Sequence, residues 1–176
     1  MFSKINCWQI VKDHFLTLRD HKANKMSTGD AVLFIVAPLV ISLSIFFGLQ
    51  FRLDTNVSNA LMTSLSVFSA LLFNLLLLIY DIVRKEEKER KEEKDSKKDT
   101  LLLELLRQIY ANISYSIFIS VFTVAILLIN FLDIKNICFV VIINCVVYYL
   151  TVQFVLTLFM ILKRVHVLLK KEINKD

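Results

Sequence analysis

The stretch ALLFNLLLLIYDIVRKEEKERKEEKDSKKDTLLLELLRQIYANISYS, residues 70–116, decides the fold. It passes from an uninterrupted apolar run, through sixteen residues without one apolar side chain (Arg84–Asp99), back into a leucine-rich run. Neither Gly nor Pro interrupts it. Such a change of chemistry suits two helices that leave a membrane, turn in water and return. Roughly 20 apolar residues span the hydrocarbon of a bilayer, and four runs of that length occur, at Ala31–Phe51, Ala60–Tyr80, Ile113–Leu132 and Ile137–Leu162. None contains Asp, Glu, Lys, Arg or His. A chain that is 56% hydrophobic, with a mean hydropathy of +0.62, is too apolar for a soluble domain of 176 residues. The expected fold is therefore all-α: a polytopic membrane protein with four transmembrane helices near 31–51, 60–98, 100–132 and 137–170, and one helix near 4–22 before them.

Charge sets the expected orientation. Of 21 Lys and Arg residues, 19 fall in segments 1–30, 81–112 and 163–176, leaving Arg52 and Lys135 in the short connections 52–59 and 133–136. Basic residues collect on the cytoplasmic side, so both termini and the hairpin are read as cytoplasmic, in a bacterial inner membrane. The division is then a cytoplasmic N-terminal segment 1–30, a first transmembrane hairpin 31–80, a charged hairpin 81–112, a second transmembrane hairpin 113–162 and a cytoplasmic tail 163–176. The same asymmetry accounts for the pI of about 9.1 without nucleic acid. The first apolar run lacks a small-residue cleavage site, so it reads as a span rather than a signal peptide. Cys7, Cys138 and Cys145 have no CxxC spacing and suggest neither a disulfide framework nor a zinc site.

The cytoplasmic segments carry the more specific signals. In Lys4–Arg19, Ile5, Trp8, Val11, Phe15 and Leu18 recur at helical spacing, which predicts an amphipathic helix. Trp8 and Phe15 beside Lys and Arg suit a helix in the headgroup region; packing on other cytoplasmic helices is the alternative. Ser27 and Asp30 have capping-box spacing. Arg84–Asp99 holds eight basic and seven acidic residues, with opposite charges at i,i+4 such as Glu86–Arg90 and Glu87–Lys91, which support a helix reaching residue 98. Asp99 or Thr100 is placed to cap the next helix, whose stripe is Leu101, Leu102, Leu105, Leu106 and Ile109. A fully charged arm cannot bury that stripe; the N-terminal helix, the lipid interface or another chain must cover it. Arg84, Lys88, Lys91, Leu102, Leu106 and Arg107 are accordingly the candidate surface for a cytoplasmic partner.

Within the spans, amides are costly unless paired, which singles out Asn74, Asn144 and Gln153. Ser66, Ala70 and Asn74 share one helix face, as do Ser116 with Ser120, and Asn144, Tyr148 and Thr151. Faces of this kind pack helices closely, whether within one chain, between subunits or around a pore. No P-loop, HExxH, GxGxxG or nucleophile elbow is present. His14 and His21 lie seven apart without a third metal ligand. The reading is a non-enzymatic protein with no cofactor and no metal.

A small four-span layout with almost nothing outside, a charged cytoplasmic hairpin and an Asn-, Lys- and Ile-rich composition resembles the membrane proteins of bacterial anti-phage systems, most nearly the membrane subunit of the Kiwa system. The resemblance is architectural and spans residues 1–176. It implies a homo-oligomer in the inner membrane with a soluble effector docked on its cytoplasmic side, and it carries no individual residue across. The expected function is thus an assembly or sensor subunit that oligomerises, most simply as a tetramer, and recruits a cytoplasmic partner in antiviral defence; a membrane-permeabilising effector or small channel is the alternative. The topology is checked with Arg90→Cys in intact cells: the cysteine should resist membrane-impermeant thiol reagents, and labelling from the periplasm would overturn the orientation.

Overall fold

A computed structural model describes residues 7–17, 29, 32–49, 53–92, 97–130 and 137–173. Among them every element is a helix: α1 (Cys7–Thr17), α2 (Ala37–Leu49), α3 (Thr55–Glu92), α4 (Lys97–Asn130) and α5 (Ile137–Ile173). A π-helical turn, Val32–Val36, leads into α2. Pro38 explains it, because the residue lacks an N–H and its ring collides with the carbonyl four residues earlier; a widened turn relieves that collision. Phe34, Pro38 and Ser42, at i, i+4 and i+8, are buried on one helix face.

Three stretches are long and apolar enough to cross a membrane: Thr55–Lys85, Leu102–Ile129 and Cys138–Lys170. The apolar helix Phe34–Ile45 is shorter. The chain is thus a helical membrane protein. Its bounds differ from the sequence reading at several ends, for identifiable reasons. Helix α3 starts at Thr55, not Ala60, because Asp54 caps it: its carboxylate accepts from Thr55 N at 2.7 Å, and its carbonyl from Ser58 N at 2.9 Å. Most of the expected connection 52–59 is therefore helix. Helix α4 begins at Lys97, which puts Asp99 and Thr100 inside its first turn rather than at its cap. Helix α5, expected over 137–170, runs on to Ile173, and its Val165 and Leu168 pack on the core. The Ser27–Asp30 capping box, the reach of the charged helix past Glu92, and the i,i+4 charge pairs of 86–97 lie outside the described residues or side chains.

The helices pack in a row, α3 on α4, α4 on α5 and α5 on α2, with α1 laid against α4. A single pattern organises it. On α4 the residues Leu102, Leu106, Ile109, Ile113, Ser116, Ser120, Thr123 and Leu127 alternate steps of four and three, and all are buried. Helix α3 repeats the pattern with Ser58, Met62, Leu65, Ser69, Leu72, Leu76, Ile79 and Val83, each buried or half-buried. Helix α5 repeats it with Ile143, Val147, Leu150, Phe154, Thr157 and Ile161. An apolar or small side chain every 3.5 residues keeps one seam facing its neighbour along a left-handed bundle. Towards the charged hairpin the seam is Leu and Ile; between the apolar spans it turns to Ser and Thr, which let backbones approach where lipid removes any hydrophobic drive. The Ser69 and Ser120 hydroxyls bond across the α3–α4 seam.

The leucine stripe is covered by the chain itself. Leu102 is 9% exposed and Leu106 and Ile109 are fully buried, within a cluster joined by Ile79 and Ile161 and flanked by Ile10, Val11, Ile82 and Val83. Leu106→Ala should therefore cost about 2–5 kcal/mol through the lost side chain and the cavity left behind. Val121→Ala, on a 58% exposed position of the same helix, should cost under about 0.5 kcal/mol. Equilibrium unfolding in mixed micelles checks the pair, and equal losses would contradict the seam.

Candidate functional site

Two features stand out once the seam is assigned: a buried polar clasp where α1 meets α4 and α5, and an outward face of small and polar residues on α3.

The clasp is built around His14, which is fully buried. Its ring stacks on Tyr115 at 3.8 Å between centroids and 8° between planes, and Phe15 and Phe34 close round it edge-on. Nδ1 of His14 donates to Oδ1 of Asn112 at 2.9 Å. The Thr17 hydroxyl is shared between the same oxygen, at 2.9 Å, and the His14 carbonyl, at 2.7 Å. From α5, Arg164 donates to the Thr17 carbonyl at 2.9 Å and the Gln108 carbonyl at 3.4 Å. A guanidinium on the last carbonyl of a helix satisfies an orphan acceptor and complements the negative end of the helix dipole. The Gln153 amide lies against the Tyr115 hydroxyl. Nε2 of His14, Nδ2 of Asn112, Oγ of Ser116 and Oε1 of Gln153 are buried without a hydrogen-bond partner.

The outward face of α3 is simpler. Ser66, Ala70 and Asn74 are all exposed, as are Asn59 and Thr63 above them on the same face. They point away from α4, so packing within one chain does not occupy them. Asn74 lies ten residues from Arg84, about 15 Å along the helix at 1.5 Å per residue, well inside the apolar span. On the other face named from the sequence, Asn144 and Tyr148 are buried and Thr151 is half-buried, its hydroxyl bonded to the Val147 carbonyl at 2.8 Å.

The remaining candidates separate by exposure. Arg84, Lys88 and Arg107 are exposed, whereas Leu102 and Leu106 face the core and are withdrawn from any partner. Arg107 pairs with Glu87 across the hairpin at 2.6 Å, a contact 63% and 43% exposed at its two ends and so worth little in stability. The side chain of Lys91 lies outside the described ones. Trp8 is 74% exposed and Phe15 half-buried: α1 packs by its His14 face, while its Trp8 face points outward. Asn112, Thr17, Tyr115 and Arg164 escaped the sequence reading. The signal that could have found them was Asn112, four residues before Ser116 and eight before Ser120, which extends a small-polar face already noticed. Among the described residues no three His, Cys, Asp or Glu side chains converge. No protein-family model, curated protein or solved structure matches the chain.

Burial lowers the His14 pKa to about 4, with the Asn112 hydrogen bond opposing and Arg164 reinforcing the shift. A base whose docked pKa lies below its free value of about 6.5 binds protons better when α1 is released. Docking is therefore full above pH 6.5, weakens as pH falls, and levels off below about 4. At pH 5 the release equilibrium should rise about 30-fold over pH 7.5, or about 2 kcal/mol. Hydrogen exchange of the α1 amides, corrected for intrinsic rates, measures it. His14→Gln should abolish the pH dependence, and wild-type exchange that is the same at both values would contradict the clasp.

Proposed function

We propose that this chain is a non-enzymatic assembly subunit of a bacterial inner membrane, with the apolar run 31–51 as a fourth span and both termini cytoplasmic, which self-associates through α3 and offers its hairpin to a soluble partner. The outward face of Ser66, Ala70 and Asn74 carries the reading. An exposed amide about 15 Å along the span is costly in lipid and is relieved by pairing across helices. Ala70 and Ser66 beside it are small enough for a second α3 to approach closely. Self-association then repeats the exposed Arg84, Lys88 and Arg107 on one side of the membrane, which turns weak docking of an effector into multivalent binding. A tetramer serving antiviral defence accords with the Kiwa-like layout.

The same exposed Asn74 supports a second reading, a narrow polar pore lined by α3 from each copy. The two differ in outcome. An assembly subunit leaves membrane potential intact on strong expression, whereas a pore dissipates it and Asn74→Leu restores it.

Ala70→Phe should shift native mass spectra in gentle detergent and in nanodiscs towards monomer, while Val121→Phe, on the exposed face of α4, should not. Wild-type protein that is monomeric in both media would overturn the proposal.

A further inference from the structure

We infer that the clasp encloses an internal water site, which joins α1, α4 and α5 through His14, Asn112, Ser116 and Gln153. None of these side chains is more than 2% exposed. Each keeps one polar atom without a partner among the described residues: Nε2 of His14, Nδ2 of Asn112, Oγ of Ser116 and Oε1 of Gln153. A buried polar atom left unpaired costs about 1–3 kcal/mol, so a group of them calls for something that pairs them.

Contacts lead from one to the next. Nδ1 of His14 meets Oδ1 of Asn112 at 2.9 Å, and the His14 ring stacks on Tyr115, whose hydroxyl meets the Gln153 amide. Ser116 follows Tyr115 and stands one turn beyond Asn112. A helical side chain leans over the turn before its own, which brings Oγ of Ser116 towards the Asn112 amide. That hydroxyl also behaves unlike its neighbours. Ser114, Ser120 and Thr123 each donate to a carbonyl three or four residues earlier, at 2.8–2.9 Å; Ser116 does not. Thr17, whose hydroxyl bonds Asn112 at 2.9 Å, also lines a groove of about 570 Å³ between α1 and α4, so space for water adjoins the cluster.

The inventory of donors and acceptors identifies the occupant. With Nδ1 donating, the neutral imidazole presents Nε2 as an acceptor; Oε1 of Gln153 also accepts, Nδ2 of Asn112 donates and the Ser116 hydroxyl does either. A cation is opposed by the Asn112 N–H groups and by the Arg164 guanidinium, held on the Thr17 carbonyl at 2.9 Å. An anion is opposed by the two acceptors. Water suits the mixture: it donates to Nε2 and Oε1 and accepts from Nδ2 and Oγ. Internal waters commonly make about three such bonds.

The inference rests on the clasp alone, not on self-association or on orientation in the membrane. Solid-state NMR of the full chain in liposomes at pH 7.5 tests it, by timing polarisation transfer from water protons, with His14 assigned by its loss in His14→Gln. Transfer to Nε2 of His14 and Nδ2 of Asn112 should be about tenfold faster than to the Leu127 methyls, which are equally buried but apolar and so stay dry. Ser116→Val sets methyl groups where the hydroxyl stood and should slow the transfer roughly to the Leu127 rate, while ring-current shifts show that His14 still stacks on Tyr115. Wild-type transfer no faster than to Leu127, a proton on Nε2 with Nδ1 bare, or undiminished transfer in Ser116→Val with the stacking kept would each overturn the inference. If Ser116→Val fails to fold, the wild-type comparison with Leu127 decides.

Discussion

The α4 seam, from Leu102 to Leu127, is the constraint on which the other helices depend. Its step of four and three is constant, but its chemistry is not. Leu102, Leu106, Ile109 and Ile113 occupy the part nearest the hairpin, where burying apolar area gives about 25 cal/mol per Å². Ser116, Ser120 and Thr123 take over further from the hairpin, within the apolar stretch Leu102–Ile129. There the stabilising work passes to close backbone approach and to hydroxyls that find acceptors, as in Thr123 to the Ile119 carbonyl at 2.8 Å and Ser120 to the Ile117 carbonyl at 2.8 Å. The repeat on α3 and α5 keeps the register across the change.

The clasp closes the side of α4 that α3 and α5 leave open. Helices α3, α4 and α5 all run past their apolar spans, and the trio leaves one side of α4 uncovered near Asn112. Helix α1 fills it with His14, Ile10 and Val11, and Arg164 ties its last turn down. The arrangement places a neutral imidazole between an aromatic face and an amide, a setting that acid should loosen. It also determines what remains for a partner. With the leucines sealed inside, Arg84, Lys88 and Arg107 are the described side chains of the proposed partner surface that stay exposed.

Much of this was legible in the sequence. Apolar run length located the long helices, and the absence of Gly and Pro from 55–132, the charged arm included, signalled their continuity. The periodicity of Ile5, Trp8, Val11 and Phe15 located α1. The inward face of α3 was not legible by the same means. Ser66, Ala70 and Asn74 step at i, i+4 and i+8, and so do faces that pack inside bundles; only the competing run of Ser58, Leu65, Leu72 and Ile79 at intervals of seven distinguishes the core side. In a lipid-facing helix both faces are apolar, so hydrophobicity alone cannot rank them. The clasp was hidden for another reason: His14 and Asn112 are 98 residues apart, and each alone looks like an ordinary polar residue at the end of an apolar stretch. The reach of α5 was legible to within a few residues, expected near 170 and found at Ile173, with Val165 and Leu168 keeping the seam going between Lys163, Arg164 and Lys170.

The rotation of α3 about its axis is the claim from which both the bundle and the assembly surface follow, and paired cysteines read it directly. In a chain whose native cysteines are replaced by Ser, Ser69→Cys with Ser120→Cys should form a disulfide within one chain under mild oxidation, because the two hydroxyls already meet across the seam. Ser66→Cys with Ser120→Cys should not, and its cysteines should instead link one copy to another through position 66. An intrachain bond at 66/120, or none at 69/120, would contradict the account.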